Sequence, residues 1–282
     1  MIVFLHAARC PTFIFHIQVL IPGICALSAV PVRAEPSDKA EQTTQLLFGE
    51  CYTVLFTQGK WCQIQGAADQ YVGWIDALQH TPVAPAYFAA WCAQDHPRVL
   101  DVVQAVSDAD VCIPVMLGSR LPFFDGMTLQ LGDKSLFFNG AATNPAAPSD
   151  PVRQVQLLRK MGHHYFKAPY LWGGKSVFGV DCSGLVQQLY GLVGVQLRRD
   201  ACQQIEHGRP VDFVTQARAG DLAFFDNTEG RIVHVGMVMD EGQILHASGE
   251  VRLDLLDHHG IYNRSRQGYS HKLRLIKRLL GE

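Results

Sequence analysis

A short apolar helix, led by a cysteine and preceded by a glycine-rich turn, constrains this chain more than any other stretch. After Tyr170-Leu-Trp-Gly-Gly comes Asp181-Cys182-Ser183-Gly184-Leu185-Val186. Apolar residues at Cys182, Leu185, Val186, Leu189, Tyr190 and Val193 recur at three- and four-residue spacing, which predicts a helix with one buried face. Asp181 stands where an N-cap is expected. Cys182 then falls in the first turn, where unpaired N–H groups and the helix dipole favour negative charge, so a lowered thiol pKa is expected. Gly173, Gly174 and Gly179 are expected to leave room for a substrate backbone.

Two histidines follow in strand-like settings, His234 in Ile-Val-His-Val-Gly-Met-Val and His246 in Ile-Leu-His-Ala-Ser-Gly. A thiol, an imidazole to take its proton and a group to orient that imidazole make a cysteine-nucleophile unit. Cys182 is the expected nucleophile, His234 the general base and His246 the orienting third member. The chain has no C-x-x-C pair and no H-x-x-x-H helix, so a metal site is not expected and no cofactor is implied. The neighbouring pairs His163-His164 and His258-His259 read as surface loops, Trp61 and Trp74 as core, and Asp221 as the shaper of the turn before its strand.

These motifs resemble the NlpC-type cell-wall cysteine peptidases, a compact papain-like group, over roughly residues 151–280. The resemblance implies the same roles for Cys182, His234 and His246. It also implies Tyr170 near the oxyanion site, Trp172 as a pocket wall, and Asp181 and Ser183 as substrate contacts. Its substrates are peptidoglycan stem peptides, cut after a γ-linked D-glutamate.

Composition bounds the rest. The chain has 282 residues, 48% hydrophobic and 18% charged, with room for two or three domains. A net charge of −2 gives no support for nucleic acid or anionic membranes as partners. The alternating basic end, Lys272 to Arg278, reads as a solvated strand face. Seven of the eight cysteines remain beside Cys182 without paired spacing, so free thiols are expected, which leans toward a reducing compartment. Residues 1–28 point the other way: an apolar segment after Arg9, with Val32-Arg33-Ala34 as a candidate cleavage site for export. Pro11, His16, Gln18 and Pro22 interrupt it, so no stable membrane span is expected, and cytoplasmic and exported locations both stay open.

Residues 29–80 show short alternating strands and glycine turns, the pattern of a small barrel. Phe48-Gly-Glu and Tyr71-Val-Gly-Trp make this segment resemble a bacterial SH3-like domain. After a linker at Pro82 to Pro85, residues 81–148 repeat the theme more faintly and read as a second, degenerate SH3-like barrel. Ala141 to Pro151 links to the peptidase domain at 149–282. The expected fold is α+β, a papain-like domain after two small SH3-like β-barrels. That order resembles the γ-D-glutamyl–diamino acid endopeptidases of the dipeptidyl-peptidase type. The resemblance implies that the first barrel closes the cleft and that a free N-terminal L-alanine is required, its amine meeting Asp200, with Glu41 and Tyr71 completing the pocket. Ala201 departs from the subgroup, which often has a serine there; the plainer reading of Asp200 is an N-cap. The expected partner is a peptidoglycan-derived peptide. The alternatives are an endopeptidase remodelling intact wall and an inert wall-binding module.

Overall fold

The structure, a computed structural model, describes residues 20–144 and 150–281. Its first unit has seven short strands: β1 (Ile21–Ile24), β2 (Ala29–Arg33), β3 (Gln42–Leu47), β4 (Cys51–Gln58), β5 (Trp61–Gly66), β6 (Val72–Asp76) and β7 (Thr81–Pro82). They pair in the order β3-β2-β6-β5-β4-β1-β7. Alternate residues such as Val30 with Val32 and Cys62 with Ile64 fill its core, because successive strand side chains point to opposite faces. Trp61 and Trp74 are buried, as expected.

This unit begins earlier and ends later than the expected 29–80. Strand β1 pairs with β4 and β7, and Ile24 and Cys25 are fully buried. Gly23 lies so close to Tyr52 and His80 that a β-carbon there would fall 2.7 Å from the Tyr52 ring. The end of the apolar segment is therefore barrel strand, and Thr81-Pro82 is strand rather than linker. Residues 1–19, which carry the rest of the candidate export signal, lie outside the described residues, as does Cys10.

The middle unit holds α1 (Pro85–Cys92), β8 (Val103–Ser107), β9 (Cys112–Met116), β10 (Thr128–Leu131) and β11 (Lys134–Phe137). Its strands form a four-stranded sheet in the order β10-β11-β8-β9, open at both ends, where a second barrel was expected. It shares a core with the first unit: Ile24, Phe48 and Cys51 pack with Val83, Trp91, Val106 and Leu136. Of the expected linker to the peptidase domain, 145–149 lie outside the described residues.

The third unit comprises α2 (Pro151–His164), β12 (Lys175–Ser176), β13 (Gly179–Val180), α3 (Cys182–Leu192), α4 (Ala201–Gln204), β14 (Arg209–Val211), β15 (Leu222–Asp226), β16 (Ile232–Val238), β17 (Gln243–Ser248), β18 (Glu250–Leu256), β19 (Gly260–Asn263) and β20 (Gly268–Arg278). Strands β14 to β20 form one antiparallel sheet, ordered β14-β20-β15-β16-β17-β18-β19, and β19 returns to pair with β20. Helices α2 and α3 cover it, with Leu158, Met161, Leu185 and Leu189 packed on Phe224, Met237 and Leu245. Mixed helix and sheet is the expected class. His163 and His164 lie in the last turn of α2, not in a loop, where a basic side chain suits the helix dipole. His258 and His259 are exposed in a turn, and Asp221 accepts from the Arg218 N–H at 2.8 Å, both as expected. Every cysteine among the described residues is a free thiol. No helix among the described residues is long and apolar enough to cross a membrane.

Candidate active site

Cys182 is the first residue of α3, and the Asp181 carboxylate accepts from the Gly184 N–H at 2.7 Å, the expected cap. The nearby glycines do not hold space open for a ligand. A β-carbon on Gly174 would fall 2.4 Å from the Gly179 carbonyl oxygen, and one on Gly184 would fall 2.2 Å from the Gly174 carbonyl oxygen. Gly173, with φ +72°, sits against the Gln42 carbonyl of the first unit. These positions are filled by the protein's own backbone, and the tight crossing at Gly173 sets the turn before Cys182 against the first unit.

The thiol pKa moves opposite to expectation. Cys182 is pushed up to about 11, first by burial and next by the Asp181 carboxylate. The peptide N–H groups of Val235 and Ser183 and the Arg199 guanidinium pull the other way and are outweighed. The resting sulfur is therefore a protonated thiol that needs a base. Tyr170, half-buried, has its phenol pushed up to about 12 by burial and by the Cys182 and Asp181 charges, so it stays a hydroxyl donor near the sulfur.

The base side comes from the sheet. His234 on β16 and His246 on β17 are joined by a 2.9 Å hydrogen bond from ring nitrogen Nε2 to Nδ1. Burial, followed by His271 and His246, holds the His234 pKa well below the ordinary histidine value, so its ring is neutral. Gly236 makes the approach possible, since a β-carbon there would fall 2.9 Å from the His246 β-carbon. Sequence reading missed three further groups. His271 on β20 stacks on His234, with ring centroids 4.0 Å apart. Asp254 accepts from His246 at 3.2 Å, and Arg252 pairs with Asp254 at 2.9 Å. The signal for Asp254 and Arg252 was Ser248-Gly249-Glu250: a tight turn there pairs His246 with Arg252 across β17 and β18.

Nitrogens of His234, His246 and His271 lie within 4.8 Å of one another, a spacing that could hold a metal ion. The donor geometry fits poorly. His234 and His246 already spend facing nitrogens on each other, and the stacked rings of His234 and His271, inclined by 19°, aim their lone pairs along near-parallel planes.

The Asp181 and Ser183 side chains are buried and engaged within the protein. The Asp181 carboxylate accepts from Gly173 N–H, Gly184 N–H, the Ser183 hydroxyl and two Arg199 nitrogens, the last at 3.0 and 2.6 Å. Ser183 Oγ in turn accepts from Arg199 at 2.8 Å. Arg199, 1% exposed, also donates to Thr44 of the first unit. This buried guanidinium, which sequence reading missed, ties the helix start to the barrel. Lys175 does the same, meeting both Glu50 oxygens at 2.8 and 2.9 Å.

Asp200 is the N-cap residue of α4, its N–H meeting the Gln203 side chain at 3.3 Å. Burial raises the Asp200 pKa, Arg199 opposes that, and Asp181 and Asp69 add to it. Burial and then the Asp200 charge raise Tyr71, which also feels Glu41. The indole N–H of Trp172, 60% exposed, donates to Glu41. Glu41 of the barrel thus touches Trp172 of the third unit, and Tyr71 feels the charge of Asp200 across the same interface.

Residues 167–270 match the NlpC/P60 family, and 32–79 match the bacterial dipeptidyl-peptidase SH3 domain. The chain is 28% identical over 220 residues to a γ-D-glutamyl-L-lysine dipeptidyl-peptidase of Bacillus subtilis, covering 72% of this chain and 71% of that one. It is 31% identical over 189 residues to the peptidoglycan endopeptidase RipB of Mycobacterium tuberculosis, covering 61% of this chain and 76% of that one. The fold is similar to a solved NlpC/P60 family protein from Bacillus cereus, with TM-score 0.74, 20% identity, and coverage of 92% of this chain and 100% of the other.

Proposed function

The chain belongs to the NlpC/P60 family, and on that premise we propose that it is a cysteine peptidase hydrolysing the γ-D-Glu–diamino acid bond of peptidoglycan peptides that carry a free N-terminal L-alanine. Cys182 attacks the scissile carbonyl, His234 takes the thiol proton and returns it to the leaving amine, and water releases the acyl-enzyme. The Tyr170 hydroxyl and the peptide N–H of Ser183 are the donors suited to the developing oxyanion. The Glu41–Trp172 hydrogen bond across the barrel interface, with Tyr71 in the field of Asp200 and Glu41, carries the reading. An ammonium is the group that stabilises the half-buried Asp200 carboxylate, with the exposed Glu41 on the barrel side, through charge-assisted hydrogen bonds. An acylated alanine would bring no charge to meet Asp200, at a cost on the order of 1–3 kcal/mol. Such an enzyme trims liberated muropeptides. The middle unit we read as a divergent relative of the first.

The similarity to an endopeptidase favours a second reading, an open cleft acting on intact wall. One experiment separates them: hydrolysis of L-Ala-γ-D-Glu-meso-diaminopimelate beside its N-acetylated analogue, by the native protein, Asp200→Ala and Cys182→Ala. Cleavage of the free-amine peptide alone, with Asp200→Ala narrowing the preference and Cys182→Ala inactive, is expected. Equal cleavage of both peptides favours the wall-remodelling reading. Activity in Cys182→Ala would refute the mechanism itself.

A further inference from the structure

We propose that Asp254, which meets His246 through the ring nitrogen facing away from His234, is a positioning residue that fixes which nitrogen of His234 is bare and able to accept the thiol proton. The inference rests on the reading of Cys182 as nucleophile and His234 as base. Its geometry follows from sheet register. On β17 and β18, His246 lies opposite Arg252 and Ile244 opposite Asp254, so Arg252 and Asp254 share the His246 face. On β15 and β16, Phe225 pairs with His234. The four polar side chains therefore form a line across three neighbouring strands.

Along that line the protons are fixed one bond at a time. An ionised carboxylate only accepts hydrogen bonds, so the 3.2 Å contact between His246 Nε2 and Asp254 Oδ2 requires the proton on Nε2. A neutral imidazole has one N–H, so Nδ1 of His246 is the acceptor of its 2.9 Å contact with His234. His234 then donates from Nε2, and its Nδ1 is left with a free lone pair. Arg252 keeps the carboxylate charged in a buried setting, with its Nε 2.9 Å from Oδ2 and its terminal nitrogen 3.1 Å from Oδ1. Burial opposes that charge, but His246 and Arg252 hold the Asp254 carboxyl below its ordinary value. When the Cys182 proton moves to Nδ1, His234 becomes an imidazolium whose second N–H already points along this line toward the carboxylate. No second proton transfer is needed. Without Asp254, His246 can turn its proton toward His234, which would put the His234 proton on the nitrogen that must accept.

The test compares Asp254→Ala with the double variant Arg252→Met/Asp254→Leu, which removes the ion pair without stranding a charge. Turnover of the free-amine peptide is measured together with the 15N shifts of the histidine ring nitrogens. In the native protein His234 is expected to show a bare Nδ1 and a protonated Nε2. In both variants that pattern should become mixed, with kcat falling at least about tenfold and KM within about twofold, since a wrong tautomer removes catalysis rather than binding. Folded variants with native kcat and unchanged ring shifts would overturn the proposal. The ring shifts need no substrate, so they judge Asp254 even if an active Cys182→Ala were to sink the underlying reading.

Discussion

At the residue scale, the sulfur departs most from what local sequence implies. A cysteine in the first turn of a helix is an argument for a stabilised thiolate. Here the same helix start carries the Asp181 carboxylate, and the site is buried, so the thiol stays protonated. Alkylation of Cys182 by iodoacetamide in the free protein is therefore expected to accelerate about tenfold per pH unit from 7 toward 10, following the thiolate fraction. A plateau already reached below pH 8 would show a low-pKa thiolate instead. Arg199 teaches the complementary lesson. Nothing in Leu197-Arg-Arg-Asp-Ala distinguishes Arg199 from Arg198, yet one is fully buried against Asp181 and the other donates from the surface to the Asp69 carbonyl.

At the scale of elements, the site depends on two strands approaching closely at one point. Gly236 on β16 faces His246 on β17, and no side chain fits between them. Gly236→Ala should push His246 away from His234 and lower kcat about tenfold or more, while the fold survives with a modest loss of melting temperature. A Gly236→Ala variant with native kcat would show that the strands yield and the relay does not need this spacing. The helix and the histidine strands were legible in the sequence because their periods are local: three to four for α3, two for β16. The open middle sheet was less legible, since its alternation is weak and whether strands close into a barrel depends on edge pairing that no local pattern encodes.

At the scale of the whole molecule, folding buries neutral histidines in separate units. In the middle unit, His96 accepts from the Phe123 N–H on Nδ1 and meets the Trp91 carbonyl with Nε2, an arrangement only the neutral ring satisfies. Burial pushes its pKa down from 6.5 to about 4. A folded-state pKa below the unfolded value means that the unfolded chain takes up the proton first. The stability from this group is complete above pH 6.5 and is lost as pH falls toward 4, up to about 3 kcal/mol for His96. His234 acts in the same direction. The melting temperature is expected to fall between pH 6.5 and 4, and His96→Gln should flatten part of that fall. A midpoint that is level across this range would contradict it.

The sequence by itself determined the chemistry of the site: one helix-borne cysteine, two strand histidines and a capping aspartate, each readable because its neighbours set its local structure. It also determined the small strand-rich unit ahead of them. Tertiary structure alone decided how those groups are tuned and closed in. The raised thiol, the buried Arg199 and Lys175 ties to the barrel, the line from His234 to Asp254 and the Glu41–Trp172 bond across the barrel interface all join residues from different strands or units. Burial and long-range pairing set those properties, and both arise only when the units pack against one another.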